Sequence, residues 1–166
     1  MSMLCHHGHT QIEPPNYNFS LTSFSPYWPL ESFSAIKEKG ILYKKSESMS
    51  IYRYKFFHSR YVFSLFIQVD ESRDLILGLH ARLPQHFDHN KFHRLLIKSY
   101  GKQNKYRVIE GTAFYQWNLK NYRLDYSSTC TITCFPISIS AYKVKDNSDP
   151  SDKDYRPIYE ILNFTN

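Results

Sequence analysis

One stretch, from Phe87 to Gly101, has the complete pattern of an amphipathic helix, whereas most of the chain around it has the two-residue period of strands. Asp88 suits the N-cap because its carboxylate can accept hydrogen bonds from the unpaired amides of a first helical turn. Apolar side chains then recur at helical spacing and form one arc that can lie on a sheet. Gly101 is the residue type that commonly ends a helix. The sequence therefore predicts a helix over residues 88–100 whose cations point to solvent.

Alternation of apolar and polar residues predicts strands on both sides of this helix. Four strands are expected before it, at 41–45, 49–57, 61–70 and 75–83. Three are expected after it, at 106–117 with a bend at Gly111, at 122–126 and at 129–134. Proline cannot donate a hydrogen bond to a ladder, so the residues that follow Pro136 are predicted to form an edge strand.

A second helix is predicted over residues 29–39, because proline suits a first helical position and Gly40 can end the helix. The links between strands are short, which favours antiparallel neighbours. The pattern predicts an α+β fold with a single domain, a predominantly antiparallel meander sheet and two helices packed on one face. We expect three regions: an irregular N-terminal arm at 1–27, the α+β domain at 28–144, and a polar loop and C-terminal tail at 145–166.

The chain of 166 residues is long enough to bury a core without a metal or a disulfide. No export signal and no membrane span is recognisable in the sequence. We therefore expect a soluble protein, cytoplasmic by default and extracytoplasmic if the start at Met1 is truncated. The sequence leaves the oligomeric state open.

Two of the three cysteines, Cys130 and Cys134, fall on one predicted strand, which would separate them by about 13 Å. A disulfide requires Cα atoms within about 7 Å of each other. We therefore expect these two side chains not to pair with each other and to be buried beside Ile132. The sequence leaves open whether Cys5 pairs with either of them.

Signatures of known catalytic sites are absent from the sequence: there is no Gly-x-Ser-x-Gly, no phosphate-binding glycine loop and no dinucleotide fingerprint. His89 and His93 are spaced so that two imidazoles on one helix can share a metal ion. Asn90, however, stands where a zinc-protease helix carries its catalytic glutamate. The two histidines are thus weak metal candidates. No cofactor is predicted, and a histidine-based metal enzyme is the weakest functional hypothesis.

The clearest functional signal is a run of cations that contains no acidic residue. Its members are Lys91, Arg94, Lys98, Lys102, Lys105 and Arg107. Together with a formal net charge of +6, this run permits an acidic partner. The sequence favours a noncatalytic protein-interaction module, such as an adaptor, an inhibitor or an immunity-type protein, that binds through the helix and its basic flank.

A second group mixes cations with aromatic rings in the hairpin predicted between the second and third strands. Its members are Arg53, Tyr54, Lys55 and Arg60. Cations pair with phosphates and aromatic faces stack on bases, so the alternative hypothesis is a nucleic-acid-binding protein. The glycine-spaced signature of the RNA-recognition fold is absent.

Overall fold

The computed structural model describes residues 18–59, 61–85, 87–130 and 134–162, which form a sheet of eight strands with helices on both faces. The first four strands are β1 (Ile41–Lys45), β2 (Ser50–His58), β3 (Tyr61–Asp70) and β4 (Leu75–Arg82). The helix α1 (His89–Tyr100) follows. The last four strands are β5 (Lys105–Ile109), β6 (Thr112–Asn118), β7 (Tyr122–Cys130) and β8 (Cys134–Lys143). A short helix, α2 (Ile158–Leu162), and three 3-10 turns (Leu21–Tyr27, Lys37–Lys39 and Pro150–Asp152) complete the described chain.

The sheet joins two antiparallel meanders at its centre. Its strand order is β1-β2-β3-β4-β8-β7-β6-β5, so that β1 and β5 are the two edges. The halves meet where β4 pairs with β8, with Leu79 opposite Ala141. The predicted α+β fold with a single domain and an antiparallel meander sheet is confirmed, but α1 and α2 lie on opposite faces of the sheet and not on one face.

Helix α1 forms where the sequence predicts it and for the predicted reasons. The carboxylate of Asp88 accepts a hydrogen bond of 3.1 Å from the backbone N–H of Lys91. Gly101 ends the helix with φ = 79°, and its N–H donates to the carbonyl of Ile97 at 2.8 Å. Phe92 is fully buried on the side of α1 that faces the sheet, in contact with aromatic rings of the core.

An aromatic cluster fills the space between the sheet, α1 and the first described residues. The ring of Phe19 lies 5.2 Å from that of Phe24, 5.5 Å from that of Phe87 and 5.7 Å from that of Phe92. Phe19 and Phe24 are buried. The described part of the predicted N-terminal arm therefore supplies core side chains and covers the sheet beside α1.

The helix predicted at 29–39 is wrong, because the first part of this segment bonds to β4 and its turn, and the second part forms only short turns. The N–H of Leu30 donates to the carbonyl of Ile76, and the N–H of Ile76 donates to the carbonyl of Glu31. Only Lys37–Lys39 has a helical turn, of the 3-10 type. The partners of these hydrogen bonds are distant in sequence, so the local pattern does not reveal them.

The single bent strand predicted at 106–117 is a hairpin of β5 and β6. Glu110 and Gly111 form its turn with φ values of 49° and 78°. Two consecutive residues with positive φ reverse the chain, as in the tight turns preferred by hairpins. Lys105 consequently lies opposite Gln116.

The prediction that Cys130 and Cys134 cannot pair is also wrong. Strand β7 continues through Ser127 and Ser128 to Cys130, so the four-residue spacing spans the β7–β8 turn and does not lie along one strand. The two Cα atoms lie 3.8 Å apart and the sulfurs form a disulfide. Cys130 is exposed at the hairpin tip, and Ile132 lies outside the described residues, as does Cys5.

Strand β8 lies at the centre of the sheet, so the edge strand predicted after Pro136 is wrong. Pro136 sits where the β7–β8 register shifts, and the pairing of β8 with β4 begins only at Ser138. A bulge is one of the few places in a sheet that tolerate proline, since its missing N–H is not needed there. Proline therefore marks an irregularity in β8 and not an edge.

The residues after β8 are held at one end of the sheet by buried carboxylates, and we call this end the acidic end. Asp152 is fully buried and accepts hydrogen bonds from Lys143 and from Arg73. Arg73 also contacts Asp70 at 2.6 Å and Asp149 at 3.2 Å. Asp70, the last residue of β3, is therefore a buried part of this network.

Candidate anion-binding surface

The two faces of the sheet differ in how they are covered. Helix α1 and the aromatic cluster bury one face, whereas the only described residues that cover part of the other are those of the C-terminal segment, 156–162. There the side chain of Ile158 is buried so close to Gly78 that a Cβ on this glycine would lie 3.2 Å from it. The Gln68 side-chain amide also donates to the carbonyl of Arg156 at 2.8 Å. Beyond this contact, two rows of side chains are not covered by any residue that the structure describes.

We call these two rows the open face. The first row crosses seven strands, with Lys55, Ser64, Arg82, Ser138, Ser127, Phe114 and Arg107. The second row lies nearer the hairpin tips, with Phe57, Val62, Phe135, Thr129, Thr112 and Ile109. All of these side chains are exposed or half-buried, and Phe57 is 70% exposed.

Two arginines on the open face lie over phenylalanine rings. The guanidinium of Arg82 is 5.4 Å from the ring centre of Phe135, and that of Arg107 is 5.4 Å from the ring centre of Phe114. Such contacts orient a guanidinium and leave its N–H donors available. Neighbouring strands are about 4.8 Å apart, which places the two arginines roughly 19 Å from each other across four strand intervals. The sheet thus presents cations at fixed positions beside aromatic rings.

These cations have no acidic partner among the residues that the structure describes. No described carboxylate lies within 4 Å of the side-chain nitrogens of Arg53, Lys55, Arg82 or Arg107. All ion pairs between described residues lie at the acidic end instead. The described ion pairs therefore lie away from the open face, and the cations of this face are available to an external anion.

The residues predicted to bind nucleic acid fall into three groups. Arg53 and Lys55 are exposed on the same side of the sheet as the open face. Tyr54 alternates to the other side and is 1% exposed in the core, so its ring is not available for stacking. Arg60 lies outside the described residues. The alternation of side chains along β2 is thus enough to exclude Tyr54 from a nucleic-acid-binding surface.

The six cations of the predicted acidic-partner site are neighbours in the sequence but lie on two different sides of the sheet. Arg94, Lys98 and Lys102 are exposed beside the solvent side of α1, where Lys91 is half-buried. Lys105 and Arg107 point to the opposite face, because the residue between them packs toward α1. That residue, Tyr106, places its ring 5.1 Å from the ring of Tyr115.

Comparisons with known proteins gave no match. Neither a protein-family model nor a curated protein nor a solved structure is similar to this chain. Among the described helices, none has the length and apolar character needed to cross a membrane. Function must therefore be inferred from the chemistry of the surface itself.

Both helix histidines pack against aromatic rings, and His89 is also hydrogen-bonded. The Nδ1 atom of His89 lies 2.8 Å from the hydroxyl of Tyr126, and the ring of His93 lies 4.2 Å from that of Tyr115. The two imidazoles stack with their centres 5.7 Å apart. Burial lowers the pKa of both histidines, and the charge of His93 lowers the pKa of His89 further. Within the described ranges, no third His, Cys, Asp or Glu joins them as a metal ligand.

Three residues that sequence reasoning missed complete the open face: Arg82, Phe114 and Phe135. The signal for Arg82 is present, since it follows His80 by two positions and shares the polar face of β4. Phe114 and Phe135 have no such signal. Their grouping with arginines depends on strand pairings that a local pattern does not reveal.

Proposed function

We propose that this protein binds single-stranded nucleic acid on the open face. The observation that supports this most directly is the placement of Arg82 over Phe135 and of Arg107 over Phe114 on an uncovered sheet surface. Guanidinium groups pair with phosphates through charge-assisted hydrogen bonds. Exposed aromatic rings stack on bases, and this combination is typical of surfaces that follow a single strand.

The shape of the surface favours a single strand over a duplex. Reading of duplex DNA requires an element that enters a groove, whereas unpaired bases can lie flat on a sheet. Ser127 and Ser138 bond to each other at 2.7 Å in the middle of the first row, which engages one of their two hydroxyl donors. We therefore expect recognition of backbone and ring faces with little base specificity.

The proposal predicts salt-dependent binding of unstructured oligonucleotides. If Lys55, Arg82 and Arg107 each neutralise one phosphate, the slope of log K against log salt is about −2, and affinity falls roughly 20-fold between about 50 and 200 mM salt. Fluorescence anisotropy with labelled oligo-dT and oligo-U of about ten nucleotides measures this. The absence of binding at low salt would reject the proposal.

A matched pair of variants locates the binding surface. Arg82→Glu with Arg107→Glu removes both stacked guanidinium groups and is expected to weaken binding by more than about tenfold. Arg94→Glu with Lys98→Glu changes net charge by the same amount on the opposite side of the sheet and is expected to have a much smaller effect. If the second pair causes the larger loss, the open face is not the binding surface.

The helix cations support a second candidate, a noncatalytic module that binds an acidic protein through α1. Arg94, Lys98 and Lys102 are exposed, and no carboxylate within the described ranges lies within 4 Å of their charged nitrogens. This function predicts that untagged protein captures acidic protein in a salt-sensitive way. The triple change Lys91→Glu, Arg94→Glu and Lys98→Glu should abolish capture and spare oligonucleotide binding. Capture that persists in this variant would reject α1 as the contact surface.

A further inference from the structure

Strand β5 is an uncovered sheet edge with exposed apolar side chains. It pairs with β6 on one side, and no described strand pairs with it on the other. All five of its residues are exposed, and Tyr106 and Val108 are each 57% exposed. Edge strands carry unpaired backbone N–H and C=O groups that can hydrogen-bond to another extended chain.

The two sides of this edge differ in chemistry. On the α1 side, Tyr106 and Val108 alternate with the cations and form an apolar strip. The ring of Tyr106 contacts that of Tyr115, which in turn lies 4.2 Å from the ring of His93 on α1. On the other side, Lys105 and Arg107 are exposed. An added strand would therefore meet apolar groups on one side and positive charge on the other.

The positive charges on β5 favour an acidic strand over a second copy of this protein as the partner of the edge. In antiparallel pairing of two copies about the middle of β5, Arg107 would lie directly opposite its own counterpart, and like charges in that position destabilise a sheet. The other edge, β1, also carries cations, Lys44 and Lys45, so it is a poor partner too. A strand with carboxylates at alternate positions would instead face Lys105 and Arg107.

We propose that the β5 edge accepts an extended segment of a partner protein in which acidic and apolar residues alternate. The segment adds as a further strand, with backbone hydrogen bonds to β5, carboxylates beside Lys105 and Arg107, and apolar side chains beside Tyr106 and Val108. Strand addition of this kind derives affinity from the main chain and specificity from alternate side chains. Arg107 borders both this edge and the open face, whereas Lys105, Tyr106 and Val108 belong to the edge alone.

A synthetic peptide of about seven alternating Val and Glu residues serves as the probe. We expect it to bind and to protect from hydrogen exchange those amides of residues 105–109 that point away from β6. N-methylation of alternate peptide residues on the side that faces β5 should weaken binding by more than about tenfold, because it removes the strand hydrogen bonds. Equal binding of the methylated peptide would overturn the proposal, since it would indicate charge attraction alone.

A charge exchange tests the side-chain part of the proposal. Lys105→Glu should weaken binding of the Val–Glu peptide by about fivefold and strengthen binding of a Val–Lys peptide, while Lys44→Glu on β1 serves as the matched control with no effect. Equal effects of the two variants would reject β5 as the site.

Concentration-dependent dimerisation that protects the same β5 amides without peptide would identify a second copy as the occupant and overturn the proposal of an acidic segment. Arg82→Glu should leave peptide binding unchanged, so loss of nucleic-acid binding alone would not affect this inference.

Discussion

Replacing Asp152 by alanine is expected to lower the free energy of unfolding by about 3–5 kcal/mol, the usual cost of removing one partner from a buried ion pair. The Asp152 carboxylate is fully buried between Lys143 and Arg73. Without it, the ammonium of Lys143, whose side chain is only 14% exposed, would lose its counterion inside the protein. Urea unfolding monitored by tryptophan fluorescence measures the loss, and the slope of the transition shows whether the unfolding stays two-state.

Asp149→Ala is the matched control for this prediction. Asp149 contacts the same guanidinium of Arg73 at 3.2 Å, but its side chain is 36% exposed, so that solvent screens the pair. We expect a far smaller loss than for Asp152→Ala. Equal losses in the two variants would mean that burial of the Asp152 carboxylate is not what fixes the C-terminal segment.

The loss of stability at low pH provides a second test of the role of the Asp152 carboxylate. Burial alone would raise the pKa of Asp152, but hydrogen bonds from Lys143, from the backbone of Asp146 and from Arg73 outweigh it and lower the pKa below the ordinary 3.8. A carboxyl whose folded pKa is lowered stabilises the fold above its unfolded pKa and loses that contribution as pH falls through the folded value. The parent protein should therefore lose stability more steeply below about pH 4 than the Asp152→Ala variant.

Helices and strands whose formation is determined by residues close in the sequence were predictable from the sequence. The bounds of β3, Tyr61–Asp70, follow from uninterrupted alternation, and α1 follows from its cap, its apolar arc and Gly101. The segment at 29–39 has equally local signals, yet its backbone bonds to Ile76. A partner more than forty positions along the chain thus overrides a helical pattern.

The residues of the proposed binding surface were also predictable only where their grouping depends on residues close in the sequence. Grouping cations by sequence proximity placed Lys105 with the helix, although strand alternation points it to the other face of the sheet. Arg82 and Phe135 come together only because β4 pairs with β8 at the centre of the sheet. Of the described strand pairings, this one joins the residues that are farthest apart in the sequence, and no local pattern specifies it.

Acidification from neutral pH to about pH 4 is expected to cost the protein roughly 3 kcal/mol of stability through His80. His80 is buried in β4 with Nδ1 2.7 Å from the hydroxyl oxygen of Ser140. Burial, aided by the charge of Arg82, lowers the pKa of His80 from 6.5 to about 4. Below pH 6.5 the unfolded chain gains a proton that the folded protein does not yet bind, so unfolding becomes more favourable as pH falls. One pH unit in this interval is worth about 1.36 kcal/mol.

The variant His80→Gln keeps a polar group beside Ser140 without an ionisable ring and should flatten the stability profile between about pH 6.5 and 4. His89→Gln is the matched comparison, because His89 is only half-buried and burial lowers its pKa in the same direction. The pH ranges in which the two residues change the stability are separable, since the effect of His80 lies above pH 4 and that of Asp152 below it. NMR of the imidazole protons reports the titration of His80 directly. A midpoint near 6.5 would show that the folded protein accommodates the charged ring, and the expected loss of stability would then be absent.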